Sequence, residues 1–206
     1  MSRSKSSNRW LQEHFSDPFV KMAQIEQYRS RAVYKLKEID KKNHLLKPDM
    51  TIIDLGSAPG SWAQYISRSL REQCRIIALD ILPMQPMPNV EFIQGDFSED
   101  NVLQQLMVHI PMDGVDLLLS DMAPNMSGIA AVDAPRVMLL TELAVELAST
   151  VLKPGGNLLL KVFHGAGFDE LLKSTRKIYR NVKICKPAAS RPRSREIYFL
   201  AKGYNL

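Results

Sequence analysis

The sequence Thr51-Ile-Ile-Asp-Leu-Gly-Ser-Ala-Pro-Gly-Ser-Trp62 decides the fold class of this chain. A β-branched run ends in the carboxylate of Asp54, and a turn of small residues separates it from a segment that can begin a helix. Gly56 and Gly60 allow the backbone of the turn to approach a ligand closely. This order of strand, turn and helix is typical of the first unit of a nucleotide-binding α/β domain.

The chemistry of the turn favours a cationic ligand. A pyrophosphate site prefers G-x-G-x-x-G and little negative charge at the loop. Here the turn reads G-S-A-P-G, and Asp54 stands at its entrance. The sulfonium and ammonium groups of S-adenosylmethionine (SAM) suit this turn better than NAD does, although the turn by itself leaves a nicotinamide cofactor open.

Length and composition predict one domain over residues 1–206, large enough for a full core. We expect residues 1–50 to form a basic helical extension and residues 51–206 the ligand-binding core. Neither a signal peptide nor a membrane-spanning run is expected from the sequence. The two cysteines, Cys74 and Cys185, have no metal or disulfide spacing, which suits a reducing cytoplasm. The four histidines are scattered, so we expect no metal site.

The charge distribution predicts a polyanionic partner. Residues 1–50 hold 11 Lys and Arg against 6 Asp and Glu, and residues 173–206 hold 10 against 1. Residues 51–172 are acidic, with 6 against 15. Solvated surface helices would explain one basic run, but two basic ends can meet on one face of a compact domain and hold nucleic acid.

Hydrophobic periodicity predicts alternating strands and helices after residue 50. The expected strands are residues 51–55, 75–80, 90–94, 115–120, 157–162, 182–186 and 196–202. The expected helices are residues 8–15, 30–42 with Ser30 as N-cap, 61–70, 99–109, 134–152 and 168–179. Helical crossovers imply parallel strands, and the short last connection implies an antiparallel hairpin. We therefore expect a Rossmann-like α/β fold of the class I SAM-dependent methyltransferase type, with about seven mostly parallel strands and helices on both faces.

Acidic residues stand at the expected carboxyl ends of four strands, where open α/β sheets bind ligands. Asp80 has the spacing after Asp54 at which a carboxylate accepts from ribose hydroxyls. Asp96 can accept from an adenine amino group while Leu82 or Phe97 packs on the ring. Any one of these acids could instead cap the following helix. Four of them at one edge, of which Asp121 is the fourth, favour a cofactor site.

The residues at this edge narrow the type of methyl transfer. Methylation of exocyclic base amines typically uses an aromatic residue in the loop that here reads Asp121-Met-Ala-Pro-Asn125. Methylation at C5 of a pyrimidine needs a cysteine nucleophile, and neither cysteine is placed for that role. Lys161 closes an apolar strand and remains as the group that can steer or accept the proton of a ribose hydroxyl. An isolated lysine at a strand end can also be a surface residue.

Five stretches together resemble the FtsJ/RrmJ (RlmE) family of ribosomal RNA ribose 2′-O-methyltransferases. They are residues 30–35, 54–62, 121–128, 161–163 and 194–196. The resemblance covers nearly the whole chain, from residues 9–11 to the last strand. Departures at Ser57, Ser61 and His164 leave every role in place.

The resemblance implies a catalytic tetrad of Lys35, Asp121, Lys161 and Glu196. Lys161 would deprotonate or orient the ribose 2′-hydroxyl and Asp121 would orient Lys161, while Lys35 and Glu196 would tune that pair. The expected cofactor is SAM. Its expected binding residues, from the turn and from the resemblance together, are Asp54, Gly56, Ser57, Ala58, Pro59, Gly60, Trp62, Asp80, Leu82, Asp96, Phe97 and Asp121.

The substrate implied by the resemblance is a uridine of 23S ribosomal RNA within the 50S subunit, and we expect a monomer without metal or membrane partner. The expected phosphate contacts are Arg29, Arg31, Lys37, Arg191, Arg193 and Arg195. Three alternatives remain open: a ribosome-binding assembly factor without catalysis, a nicotinamide-dependent oxidoreductase, and a ribose methyltransferase that acts on tRNA or an RNA cap.

Overall fold

The computed structural model describes residues 16–124, 127–165, 167–191 and 194–205. Its strands are β1 (Met50–Leu55), β2 (Cys74–Asp80), β3 (Val90–Gln94), β4 (Val115–Ser120), β5 (Leu152–Phe163), β6 (Tyr179–Cys185) and β7 (Glu196–Tyr204). Its helices are α1 (Pro18–Ile25), α2 (Val33–Asn43), α3 (Ser61–Ser69), α4 (Asp100–His109), α5 (Ala130–Val151) and α6 (Phe168–Ile178).

Within those ranges the seven strands form one sheet in the order β3-β2-β1-β4-β5-β7-β6. Neighbouring strands from β3 to β5 run parallel, whereas β7 pairs antiparallel with both β5 and β6. The prediction of a mostly parallel sheet with a final antiparallel hairpin is confirmed. Because β7 runs back beside β5, its first residue, Glu196, lies opposite Phe163 at the carboxyl end of β5.

The core lies on both faces of the sheet. On one face, Ile53 and Leu118 pack in the same cluster as Ala144 from α5, together with residues from α4 and α6. On the other, Ile52 packs with Leu36 from α2 and with residues from α3. The central strands β1 and β4 are covered on both faces and bury five of their six residues each, which is why they read as nearly continuous apolar runs.

The element boundaries differ from the predicted ones in both halves of the chain: α5 begins at Ala130 rather than at residue 134, and β6 begins at Tyr179 rather than at residue 182. Helix α1 was not predicted. Its signal is the pair Asp17-Pro18, in which the Asp17 carboxylate accepts from the Phe19 N–H at 2.9 Å and Pro18 occupies the first helical turn. With eight residues, of which Val20 and Ala23 are buried, α1 is too short to show a clear period. The helix predicted over residues 8–15 lies outside the described residues.

Helix α2 begins three residues later than predicted, and its N-cap is Ala32 rather than Ser30. The Ser30 hydroxyl instead donates to the Ser61 hydroxyl at 2.9 Å, which ties the start of α2 to the start of α3. Strand β5 is longer than predicted because Leu152 pairs with Val115 before a register shift. That irregularity includes Gly155 and Gly156, which sequence patterns assign to a turn. Among the described helices, none is long and apolar enough to cross a bilayer.

Candidate active site

A cleft of about 620 Å³ opens at the carboxyl ends of β1 to β4. Seven of the predicted cofactor residues line it: Gly56, Ala58, Asp80, Leu82, Asp96, Phe97 and Asp121. Helix α5 forms the opposite wall with Leu139, Leu140 and Arg136, which the sequence analysis did not single out. The cleft therefore combines carboxylates at the strand ends with apolar walls.

Asp80 and Asp96 hold the loops of the cleft as well as lining it. Asp80 accepts from the N–H groups of Ala58 and Leu82, both at 2.8 Å, and so joins the turn after β1 to the end of β2. Asp96 accepts from the hydroxyl and the N–H of Ser98 at 2.7 and 2.9 Å. These bonds lower the pKa of Asp96. Neither carboxylate caps a helix, because Asp80 is followed by a loop and a strand and the N-cap of α4 is Glu99. Their hydrogen bonds to the loops keep both carboxylates at the cleft surface.

The turn between β1 and α3 requires glycine at two positions. Gly56 has φ +73°, and a Cβ there would lie 2.9 Å from the backbone nitrogen of Met122. Gly60 has φ +96°, and its Cβ would lie 2.6 Å from the sulfur of Met84. A side chain at either position would strain the backbone and push neighbouring loops away.

Asp54 and Ser57 present buried polar atoms that lack partners in the described part of the chain. Both carboxyl oxygens of Asp54 and the hydroxyl of Ser57 have no hydrogen-bond partner. Burial raises the pKa of Asp54 well above its ordinary value, and the charges of Asp121 and Asp80 raise it further. The nearby N–H of Ala63 offsets only part of this shift. Native proteins rarely leave buried polar atoms unpaired, so these atoms beside the turn are consistent with a ligand-binding role.

Five predicted cofactor residues do not line the cleft: Asp54, Ser57, Pro59, Gly60 and Trp62. Trp62 is buried, donates its indole N–H to the carbonyl of Ala32 at 2.8 Å and packs against the ring of Tyr198 at 6.0 Å. It thereby joins α3 to the start of α2 and to β7. The turn residues support the cleft from behind its surface.

The four residues of the predicted tetrad meet at one end of the cleft. The Lys161 ammonium lies 3.0 Å from Asp121 Oδ1 and also donates to the Asp121 backbone carbonyl. The Lys35 ammonium lies 2.9 Å from Glu196 Oε1 and 3.6 Å from Asp121 Oδ1. All four side chains are at most 16 % exposed, so their charges are only weakly screened by water.

The fold explains how these residues converge. Asp121 directly follows β4, Lys161 lies near the end of the neighbouring strand β5, and Glu196 begins the antiparallel β7. Lys35 reaches them from α2, which packs on the sheet through the buried Leu36. Two lysines and two carboxylates thus balance each other in a mostly buried site.

The surroundings of Asp121 favour its charged form. Burial by itself would raise the pKa of this carboxyl, but the ammonium groups of Lys161 and Lys35 and the hydroxyl of Tyr198 outweigh it. The pKa of Asp121 is therefore lowered from its ordinary value. A charged Asp121 can hold the Lys161 side chain in a fixed direction.

Tyr198 is a member of this network that the sequence analysis missed. It is fully buried and donates its hydroxyl to Asp121 Oδ1 at 2.7 Å, with Glu196 Oε1 at 3.4 Å. Burial, followed by those two carboxylates, raises its pKa well above the ordinary tyrosine value. A signal was present, because alternate residues of a strand share a face and Tyr198 stands two residues after Glu196. Ser190, which donates to Glu196 Oε1 at 2.7 Å, has no such signal.

A second pocket, of about 460 Å³, adjoins the tetrad and is lined by basic residues. Arg31 and Arg191 line it together with Lys35, Glu196, Ser194 and Ala189. The Arg31 guanidinium is fixed by Asp17 at 2.9 Å and by the carbonyl of Ala189 at 2.6 Å. This pocket brings together residues from the two basic ends of the chain.

The other predicted phosphate contacts have different surroundings. Lys37 pairs with Glu26 at 2.7 Å, and Arg195 is exposed. The Arg29 guanidinium is turned inward onto three backbone carbonyls. Arg193 lies outside the described residues. In the part of the chain that the structure describes, no cluster of His, Cys, Asp or Glu could hold a metal ion.

Comparisons with known proteins identify the family of this chain. The family model of FtsJ-like methyltransferases matches residues 28–204. A Legionella pneumophila protein named ribosomal RNA large subunit methyltransferase E is 65 % identical over 206 residues, which is 100 % of both chains. A Pseudomonas aeruginosa protein of the same name is 55 % identical over 204 residues, covering 99 % of each chain.

Solved structures of methyltransferases share the fold. A Plasmodium falciparum protein described as a ribosomal RNA methyltransferase superposes with a TM-score of 0.78 at 33 % identity, over 86 % of this chain and 98 % of its own. Human methyltransferase-like protein 13 superposes with a TM-score of 0.56 at 13 % identity, over 84 % and 80 %. The latter likeness concerns the fold alone.

Proposed function

The chain belongs to the FtsJ-like methyltransferase family, and from this premise we propose that it transfers a methyl group from SAM to the ribose 2′-hydroxyl of a uridine in 23S ribosomal RNA. Two relatives at 65 % and 55 % identity are named ribosomal RNA large subunit methyltransferase E, which supports the large-subunit RNA as substrate. Because the matched relatives include a full-length one of 206 residues, the proposal concerns the whole chain.

The cleft fits SAM in its shape and charge. Asp80 and Asp96 can accept from ribose hydroxyls and from the adenine amino group, while Leu82 and Phe97 supply apolar surface for the ring. Asp121 brings a negative charge to the end of the cleft beside the tetrad, as a cationic donor requires. The unpartnered Asp54 carboxyl lies behind the same turn. When bound, SAM supplies a methyl group that its sulfonium has already activated.

The observation that carries the proposal is the position of Lys161. Its ammonium has three donor directions, of which two are taken by the carboxylate and the carbonyl of Asp121. The third direction is left for the ribose hydroxyl. We assign Lys161 two roles: as an ammonium it orients the 2′-hydroxyl by donating to its oxygen, and as the neutral amine it accepts the hydroxyl proton. The proton leaves as the oxygen–methyl bond forms and the methyl–sulfonium bond breaks. Alignment of the methyl donor with the hydroxyl accounts for most of the remaining rate acceleration.

The other tetrad members act on Lys161 and on the ribose. Asp121 holds Lys161, and Tyr198 holds Asp121 through a bond to the same carboxylate oxygen. Lys35 bridges Asp121 and Glu196 and lies on the border with the basic pocket. There Arg31 and Arg191 are placed to hold phosphates next to the reacting nucleotide, which supports RNA as the partner.

The test is a transfer assay with tritiated SAM. Large ribosomal subunits from cells lacking the corresponding methyltransferase are compared with free 23S RNA and with bulk tRNA, and the labelled nucleosides are identified. We expect 2′-O-methyluridine in the subunit sample. Label only in tRNA would support the 2′-O-methyl transfer but show that the substrate is tRNA rather than ribosomal RNA.

The alternative of a ribosome-binding factor without catalysis predicts a different result. Such a factor would bind SAM or the subunit without transferring label to any of the three RNAs. Titration with NADH in place of SAM examines the nicotinamide alternative in the same preparation. Heat release with NADH and none with SAM would overturn the proposed cofactor.

A further inference from the structure

Arg29 joins two segments that build the cleft wall, although its charge first indicated a phosphate contact. It lies in the connection between α1 and α2. Its Nη1 donates to the carbonyl of Pro59 at 3.1 Å and to that of Gln85 at 2.8 Å. Its Nη2 donates to the carbonyl of Pro86 at 3.1 Å. One guanidinium therefore connects the turn after β1 with the loop of residues 81–89 after β2, here called the 81–89 loop.

The 81–89 loop has few means of holding its own position. Prolines occupy positions 83, 86 and 88, and a proline has no N–H to donate. Over the described chain, the only hydrogen bonds to the backbone of residues 83–86 come from Arg29. The same loop carries Ile81 and Leu82, which line the cleft with 53 % and 60 % of their surfaces exposed. Gln94 and Asp80 hold Ile81 and Leu82 at the start of the loop, so Arg29 fixes the position of the following residues 83–86.

The backbone of Arg29 is itself held in place by a hydrogen bond. Its backbone N–H donates to Gln64 Oε1 at 3.0 Å, and the Gln64 amide donates to the carbonyl of Gln27 at 2.9 Å. Helix α3, which carries Gln64, begins directly after the turn. The backbone of Arg29 is therefore held by α3, and α3 begins at the turn that the Arg29 guanidinium connects to the 81–89 loop.

Gly60 lies close to both the Arg29 guanidinium and the 81–89 loop, with no space for a side chain between them. A Cβ at Gly60 would lie 2.9 Å from Arg29 Nη1, 2.6 Å from the sulfur of Met84 and 3.1 Å from the methyl of Met87. Turn, guanidinium and loop are in direct contact at this point. An arginine whose terminal nitrogens already bind three carbonyls has less capacity to clamp a phosphate than Arg191, which faces the basic pocket.

We propose that Arg29 is a positioning residue for the cofactor: it locks the 81–89 loop onto the turn after β1, and so sets the affinity for SAM rather than for RNA. This inference rests on the proposed function, because it takes the cleft to be the SAM site. A loop that occupies the competent position only about one tenth of the time weakens the apparent affinity about tenfold.

The experiment compares Arg29→Ala and Arg29→Lys with two matched arginine variants. Arg191→Ala removes a guanidinium from the basic pocket, and Arg180→Ala removes one that pairs with Asn205 on the far side of the sheet. Calorimetry measures the Kd for SAM, and steady-state kinetics separate the KM for SAM, the KM for large ribosomal subunits and kcat. Thermal melting by circular dichroism checks folding.

For Arg29→Ala we expect a Kd for SAM raised about tenfold, with the KM for subunits unchanged and kcat at saturating SAM close to that of the native protein. The Kd of Arg29→Lys for SAM should lie between those of the native protein and Arg29→Ala, since one ammonium reaches fewer of the three carbonyls. Arg191→Ala should show the opposite pattern, and Arg180→Ala should match the native protein in both constants.

An unchanged Kd for SAM in both Arg29 variants would overturn the inference, as would a raised KM for subunits with normal SAM binding. Failure of the proposed function has a different signature, because the native protein would then either not bind SAM or bind it without methylating the large-subunit RNA. In the second case the calorimetric Kd for SAM still tests the role of Arg29. If Arg29→Ala unfolds below the assay temperature, Arg29→Lys provides the test: a raised KM for SAM with an unchanged KM for subunits supports the inference, and the reverse overturns it.

Discussion

Two buried carboxyls on neighbouring strands, Asp54 in β1 and Asp121 at the end of β4, have opposite pKa shifts. Burial raises the pKa of Asp54 well above its ordinary value. Burial acts on Asp121 in the same direction, yet its pKa is lowered because Lys161 and Lys35 outweigh that effect. Partners, rather than depth, decide which of the two carries a charge.

The sheet order determines where those partners can come from. Asp54 lies in the centre, and the residues paired with it on β2 and β4 are Ala78 and Leu119, whose side chains cannot donate hydrogen bonds. Asp121 lies beside β5, which supplies Lys161, while α2 supplies Lys35. The charged site is therefore where the parallel part of the sheet meets the antiparallel hairpin.

The largest effect is expected from Lys161→Ala, which makes the surroundings of Asp121 more like those of Asp54. Loss of the group that orients and deprotonates the ribose hydroxyl should lower kcat about 10²–10⁴-fold. SAM binding should remain, because Lys161 does not line the cleft. Single-turnover transfer and calorimetry with SAM measure the two quantities.

Lys153→Ala is the matched control, since Lys153 lies at the opposite end of β5 and pairs with Asp113 and Asp116. This variant should transfer methyl groups at the native rate. Normal turnover by purified Lys161→Ala would show that another group handles the proton.

A smaller effect is expected from Tyr198→Phe, which removes one of the hydrogen-bond donors that lower the pKa of Asp121 and that Asp54 lacks. The phenyl ring keeps the packing against Trp62 and lacks only the hydroxyl. Hydrogen bonds to charged groups contribute about 1.5–3 kcal/mol, so a decrease in kcat of about tenfold corresponds to losing part of one such bond. The kcat should be measured as a function of pH.

The direction of the pH effect follows from Asp121. Without the Tyr198 hydroxyl its pKa rises, so it stays protonated to a higher pH and the acid limb of the kcat profile moves upward. Tyr204→Phe is the control, because its hydroxyl donates to the carbonyl of Ser149 at the far end of the same strand. If the acid limb does not move in Tyr198→Phe, the Tyr198 hydroxyl does not affect catalysis through Asp121.

Sequence reasoning predicted most of the strands from their apolar runs, which are nearly continuous in the central strands β1 and β4 because both faces of these strands are covered. The bounds of β3 and β4 were predicted to the residue. The four residues of the tetrad came from the resemblance to the FtsJ family, and the expected topology, with strand ends at one edge and the antiparallel return of β7, was consistent with their meeting. Sequence reasoning did not predict helix α1, whose signal is one capping pair.

The inward orientation of Arg29 could not be predicted either. An arginine in a basic segment has the same sequence signature whether it faces phosphate or carbonyls. Only the path of the proline-rich 81–89 loop past the turn after β1 determines which of the two it meets. Similarly, the contact of Ser190 with Glu196 depends on a loop conformation that has no period.

The smallest effect, and the most direct comparison of the two acids, is expected in the pH dependence of stability for Asp54→Asn and Asp121→Asn without cofactor. An unfolded Asp titrates near about pH 3.9. Above that pH the unfolded chain ionises at Asp54 while the folded chain stays protonated, so the native protein loses stability relative to Asp54→Asn as pH rises toward the folded pKa. For Asp121 the sign reverses, because its folded pKa is lowered. Its charge stabilises the fold above about pH 3.9, and that contribution is lost as pH falls through the folded pKa.

Thermal melting between about pH 2.5 and 8 should therefore show a Tm advantage for Asp54→Asn that grows with pH above about 3.9. The Tm deficit of Asp121→Asn should be constant above about pH 3.9 and shrink below it. Each kcal/mol corresponds to about 2–4 °C for a chain of this size. Asn keeps the shape of both side chains, so cavity effects are small and the two slopes report the charges. Parallel slopes would mean that Asp54 is ionised in the folded protein as Asp121 is. In that case the cleft would already carry the full negative charge that a cationic methyl donor requires, before any ligand enters it.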